Sequence, residues 1–66
     1  MNITLNNQSV TTAATTLSAL VEDTLGQLPD AGVAVAVDGE VVPRSQWDRP
    51  LADGQHIDIL TAVQGG

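Results

Sequence analysis

The 66-residue sequence has room for one domain, and without cysteine it has neither a disulfide nor a thiolate metal site to staple a small core. Its formal net charge is −6, from eight carboxylates against Arg44 and Arg49, with no lysine. That balance excludes the clustered cations of a nucleic-acid surface and the polybasic attraction to an anionic membrane, and it matches a basic protein partner instead.

Nearly all of the 42% hydrophobic share is aliphatic, with Trp47 the one aromatic residue. Such a composition belongs to a globular domain rather than a disordered chain. The opening MNITLNNQSVTT has no basic region and no continuous apolar run, so it does not read as a signal peptide. No stretch approaches the roughly 18 apolar residues of a membrane span. The expected compartment is therefore the cytoplasm.

In chain order, Met1, Ile3 and Leu5 alternate with Asn2, Thr4 and Asn6, the period of a half-buried strand. Asn6-Asn7-Gln8 reads as a polar turn, and the β-branched run SVTT as the return strand of a hairpin. The period then changes. Leu17, Leu20, Val21, Thr24 and Leu25 form one helical stripe, with Glu22, Asp23 and Gln27 facing away. Thr15 or Thr16 suits the N-cap, Gly26 a left-handed C-terminal stop, and Pro29 prevents a restart.

GVAVAV predicts a strand with Val33, Val35 and Val37 on one face and the small Ala34 and Ala36 on the other, where another element could approach closely. Asp38-Gly39 is a favoured two-residue hairpin turn, and EVV returns as a short strand. Pro43 and Pro50 keep PRSQWDRP out of regular sheet. After a turn at Asp53-Gly54, HIDIL is the last strand, with Ile57 and Ile59 inward and His56, Asp58 and Leu60 outward. The order is β-β-α-β-β-β, or β-β-α-β-β if the short strand is fused or very short. One helix would pack across one face of a mixed sheet whose first and last strands lie parallel. This is an α+β, β-grasp order.

Little in the chain carries chemistry of its own. His56 and Asp58 share a strand face, which makes a pair conceivable, but an exposed polar face explains both without a nucleophile or pocket. One histidine and scattered carboxylates make a poor metal site. No glycine-rich phosphate loop is present, and a P-loop would need the lysine that is missing.

The chain closes on TAVQGG. Composition alone leaves two readings open: a frayed end, since glycine suits disorder, or a tail whose terminal carboxylate is the functional group. For the second, glycine is the fitting residue, because without a Cβ two in succession make a thin arm for a narrow channel. Thr61, Ala62, Val63 and Gln64 carry no charge, so such an arm is cheaply desolvated.

With that order, that ending and a length near 65, the chain resembles the small ubiquitin-like β-grasp sulfur carriers. The runs VDGEVVPRSQW and LADGQHIDILTAVQGG are most similar to the ThiS family, the sulfur carriers of thiamine thiazole biosynthesis. One departure is Asp38, where that family more often has Asn; both suit the turn. Gln64 occupies a position at which the family varies.

The resemblance implies a four- to five-stranded mixed sheet with one helix on one face. Residues 1–61 form the domain and 62–66 a flexible diglycine tail. It also implies a mechanism. Gly66, at the end of a tail of Ala62, Val63, Gln64 and Gly65, would be adenylated by a ThiF-type enzyme using ATP. Sulfur drawn from cysteine through a desulfurase would make it a thiocarboxylate, and thiazole synthase (ThiG) would take the sulfur. The chain would be a protein co-substrate, with no catalytic residue, bound cofactor or metal of its own. Its partners would be those enzymes, not nucleic acid or membrane. A carrier for molybdopterin synthesis, a ubiquitin-like protein modifier and a plain β-grasp binding module remain as rivals.

Four further positions bear on structure or on partners. Trp47 and Pro43 fit structural roles, Trp47 covering an edge of the aliphatic core and Pro43 ending a strand. Arg44 suits either a surface ion pair or a partner contact. Leu60 breaks the polar face of the last strand: it is either one of the scattered exposed leucines normal to any surface, or part of an apolar docking patch leading into the tail.

Overall fold

A computed structural model describes residues 1–29 and 31–61. The tail residues Ala62, Val63, Gln64, Gly65 and Gly66 lie outside the described residues.

Among the described residues, five strands and one α-helix follow the longer of the two expected orders. The strands are β1 (Asn2–Leu5), β2 (Gln8–Thr11), β3 (Val33–Val37), β4 (Glu40–Val41) and β5 (His56–Thr61), with α1 (Leu17–Leu25) between β2 and β3. The sheet order is β2-β1-β5-β3-β4. β1 and β5 run parallel at its centre, while the β1–β2, β3–β4 and β3–β5 pairs are antiparallel. This is the ubiquitin-like β-grasp.

Both hairpins turn on two residues in left-handed conformation. Asn6 and Asn7 have φ of 49° and 66°, and Asp38 and Gly39 have 51° and 88°. Their twist matches that of the strands they join. Gln8, read from sequence as part of the turn, is instead the first residue of β2 and pairs with Leu5.

The helix is bounded as its sequence requires. Thr16 is the N-cap, and its Oγ1 accepts from the Ala19 N–H at 3.2 Å. Gly26 ends the helix at φ 84°, donating its N–H to the Glu22 carbonyl at 2.8 Å. The first turn also takes two carbonyls from a distant loop: Leu17 N–H donates to Arg49 O and Ser18 N–H to Trp47 O. The segment PRSQWDRP, which forms a short 3-10 turn over Arg44–Gln46, thus satisfies donors that a helix start otherwise leaves to water.

The core lies between α1 and one face of the sheet. Leu17, Val21, Val35 and Ile57 are its most deeply buried residues, joined by Leu20, Ile3 and Ile59. Among the described residues no polar or charged side chain is buried. Thr24 departs from its expected place on the buried stripe. It is exposed, and its hydroxyl donates to the Leu20 carbonyl at 2.8 Å, a bond to its own helix that needs no packing partner. Trp47 goes further inward than an edge cover: it is 2% exposed, and its Nε1–H donates to Val42 O at 3.0 Å. Nothing in the structure explains the placement of Glu22 and Asp23 near the helix C-terminus.

Candidate functional site

β5 carries the candidate site because it delivers the chain to residue 62. Its side chains alternate as the sequence requires. Ile57 and Ile59 enter the core, whereas His56 and Leu60 are exposed and Asp58 is half-buried on the opposite face. That face is the one away from α1, and among the described residues no element covers it.

Register shows what the open face presents. Ala34 pairs with Leu60, Ala36 with Asp58, and Ala36 with Val41 on the other side. Leu60 is 68% and Val41 76% exposed, the two most exposed large hydrophobic side chains among the described residues. The small alanines between them leave the surface low, so the two larger side chains stand at the ends of an apolar stripe. Sequence reasoning found Leu60 but passed over Val41. The signal was available: in EVV adjacent valines point to opposite faces, so burying Val42 sends Val41 outward. The closeness that the alanines were expected to allow is therefore offered to the outside, not to another element of this fold.

His56 and Asp58 do meet on that face. His56 Nε2 lies 3.7 Å from Asp58 Oδ1, with the two side chains 46% and 40% exposed. The pair is open to water, and among the described residues no third group makes it a catalytic constellation. Among the described residues no group of three potential ligands could hold a metal ion. Arg44 is placed by packing: its guanidinium sits 4.8 Å from the centre of the Trp47 ring, a cation–π contact.

Where β5 ends, a shallow groove of about 420 Å³ runs beside it, between the end of α1 and the start of β3. Leu25, Gly32, Val33 and Thr61 line it, and none of its lining residues has a titratable side chain. On the other side, the end of β5 is held by Asn6, which the sequence showed only as part of a polar turn. Its side-chain amide bonds both main-chain groups of Ile59. No helix is long and apolar enough to cross a membrane among the described residues.

The geometry is that of a handle with an apolar face, not of an enclosed active site. The sequence profile of the ThiS family matches residues 3–66. The sulfur carrier protein ThiS of Escherichia coli (strain K12) is 35% identical over 69 aligned residues, which cover the whole of both chains. The crystal structure of a thiamine biosynthesis protein (ThiS) from Geobacter metallireducens superimposes with a TM-score of 0.73 at 29% identity, again over the whole of both chains.

Proposed function

This chain belongs to the ThiS family, and on that premise we propose that it is a sulfur carrier whose cargo is held on the carboxylate of Gly66. A carrier of this kind is a protein co-substrate rather than a catalyst. The supporting observation is that the family match runs through to residue 66, five residues beyond the last described strand residue. The fold thus supplies a surface to grip, and the sequence beyond it supplies the reacting group.

The chemistry follows from the poor electrophilicity of a carboxylate. A ThiF-type enzyme transfers AMP from ATP to the Gly66 carboxylate, releasing pyrophosphate and leaving a mixed anhydride. Sulfide, released when a thiol reductant reduces the persulfide that a desulfurase forms from cysteine, attacks the carbonyl carbon. AMP leaves with one of the original carboxylate oxygens, and the thiocarboxylate remains. Thiazole synthase then takes up the sulfur, and the carrier returns to its ordinary carboxylate. Gly65 and Gly66 lack a Cβ, and Gln64, Val63 and Ala62 are uncharged, so the tail can enter a narrow, dry channel.

The open face with Leu60, Val41, Ala34 and Ala36 is the docking patch in this reading. Its Leu60 end lies on the strand that leads to the tail, so an enzyme seated on it is close to Gly66. Five residues span at most about 17 Å when fully extended. The groove beside Thr61 is too open to serve as a site of its own.

A C-terminal extension tests the reading. One residue added after Gly66 removes the free carboxylate from its place and should abolish ATP–pyrophosphate exchange by the adenylating enzyme, with the fold unchanged. Adenylation of the extended chain without trimming would contradict it. Offering the purified thiocarboxylate to thiazole synthase and to molybdopterin synthase then separates the two pathways: sulfur uptake by the first alone is expected.

A further inference from the structure

Asn6 does for the end of β5 what a longer β1 would do. β1 pairs with β5 only at Thr4↔His56 and Leu5↔Ile57. The chain then leaves the sheet at Asn6, with φ 49°. One step further along β5, Ile59 turns its N–H and C=O toward the vacated side. The Asn6 side chain meets both: Oδ1 accepts from the Ile59 N–H at 2.8 Å, and Nδ2 donates to the Ile59 carbonyl at 3.3 Å. Its backbone N–H also donates to the Ile57 carbonyl at 2.9 Å. One residue thus holds three main-chain groups of the strand that carries the tail.

The task is specific to asparagine. The residue must tolerate the left-handed region, be short, and offer one acceptor and one donor. Aspartate lacks the donor, and glycine lacks both. A turn residue on the other side of β5 shows the contrast. Asp38, at φ 51°, accepts from the His56 N–H through its carboxylate at 2.9 Å and donates its own backbone N–H to the His56 carbonyl at 2.7 Å. There the side chain only accepts, so a carboxylate is sufficient.

The position of these clamps matters at the far end of β5. Against β3 the ladder reaches Val33↔Thr61, and Gly32, with φ 80°, cannot prolong an extended strand. Against β1 the hold at Ile59 is due to Asn6. Asn6 is therefore the hold on the β1 side of the strand two residues before Thr61, opposite the β3 ladder. Misplacing a reacting group by about 1 Å costs on the order of a hundredfold in rate, so the direction in which β5 hands over the chain at Thr61 bears on how Gly66 is presented.

We propose that Asn6 is a positioning residue: by binding Ile59 it aims the root of the tail, so that Gly66 arrives in line for adenylation. This rests on the reading of Gly66 as the activated residue. The test uses the full chain with Asn6→Gly, Asn6→Asp and Asp38→Asn, the adenylating enzyme, and ATP–pyrophosphate exchange resolved into kcat and KM. Amide hydrogen exchange at Ile59 is followed in parallel. Asn6→Gly should speed exchange at Ile59 and lower kcat about tenfold or more, with KM within about twofold, because the docking face is untouched. Asn6→Asp keeps the left-handed tolerance and the bond from the Ile59 N–H, so it provides a folded variant; its second carboxylate oxygen faces the Ile59 carbonyl, so kcat should fall there as well. Asp38→Asn should match the wild type.

Faster exchange at Ile59 with an unchanged kcat would overturn the proposal. So would a loss of rate that merely follows the unfolded fraction, or one confined to KM. If the wild-type chain itself is not adenylated, the assignment of Gly66 fails and the proposal with it; a wild type that is adenylated while Asn6→Gly equals it refutes the role of Asn6 alone.

Discussion

Replacing Leu60 with alanine separates docking from folding on a single strand. Leu60 is 68% exposed, so folding gains little from it, and its truncation should change stability by less than about 0.5 kcal/mol. Fully burying a leucine side chain is worth about 1.5–3 kcal/mol, and with two thirds of the surface still open, about 1–2 kcal/mol of that is available to a partner. Leu60→Ala should therefore weaken binding to the adenylating enzyme about 5- to 30-fold. Its neighbour gives the opposite pattern. Ile59 is 5% exposed in the core, so Ile59→Ala should cost about 2–5 kcal/mol of stability. The assay is titration calorimetry of each variant against the adenylating enzyme, paired with urea unfolding. Unchanged affinity in Leu60→Ala and in the double variant with Val41→Ala would refute the assignment of the open face as the docking patch.

Other substitutions test the scaffold and the approach to partners. Trp47→Ala should cost about 3–5 kcal/mol, comparable to what a core of this size supplies, and leave the chain largely unfolded by circular dichroism. Trp47→Phe keeps the ring but strands the Val42 carbonyl, so a loss of about 1–3 kcal/mol is expected in the same melt. Gly26 has φ 84°, and a Cβ there would meet no atom of the described residues within 4 Å. Gly26→Ala should therefore cost only the conformational term, about 1–2 kcal/mol by urea midpoint. With a net charge of −6, association with a basic enzyme surface should slow as salt rises, in stopped-flow rates measured across ionic strengths. Salt-insensitive rates would count against electrostatic steering.

The features legible in the sequence were those set by local chemistry. Period-two alternation located β1, β3 and β5; the Thr16 and Gly26 caps bounded the helix; Asp38-Gly39 announced a hairpin. Alternation also placed Leu60 outward, and so found half of the open face. The rest depends on neighbours far along the chain. The loop carbonyls of Trp47 and Arg49 that complete the first turn of α1 have no local signature. Thr24 has the right spacing for the buried stripe, but its hydroxyl is satisfied by its own helix and it remains exposed. Asn6 looks like any turn residue until β5, more than fifty positions later, is laid beside it. The family was legible because the runs VDGEVVPRSQW and LADGQHIDILTAVQGG carry the resemblance in the sequence itself.

The most direct measurement is the intact mass of the protein after incubation with its adenylating enzyme, ATP and a sulfur donor. The account predicts that one oxygen is replaced by sulfur, located at Gly66 by fragmentation, and that the change reverses once thiazole synthase has turned over. An unmodified mass, obtained with an enzyme that activates another carrier in the same assay, would contradict it.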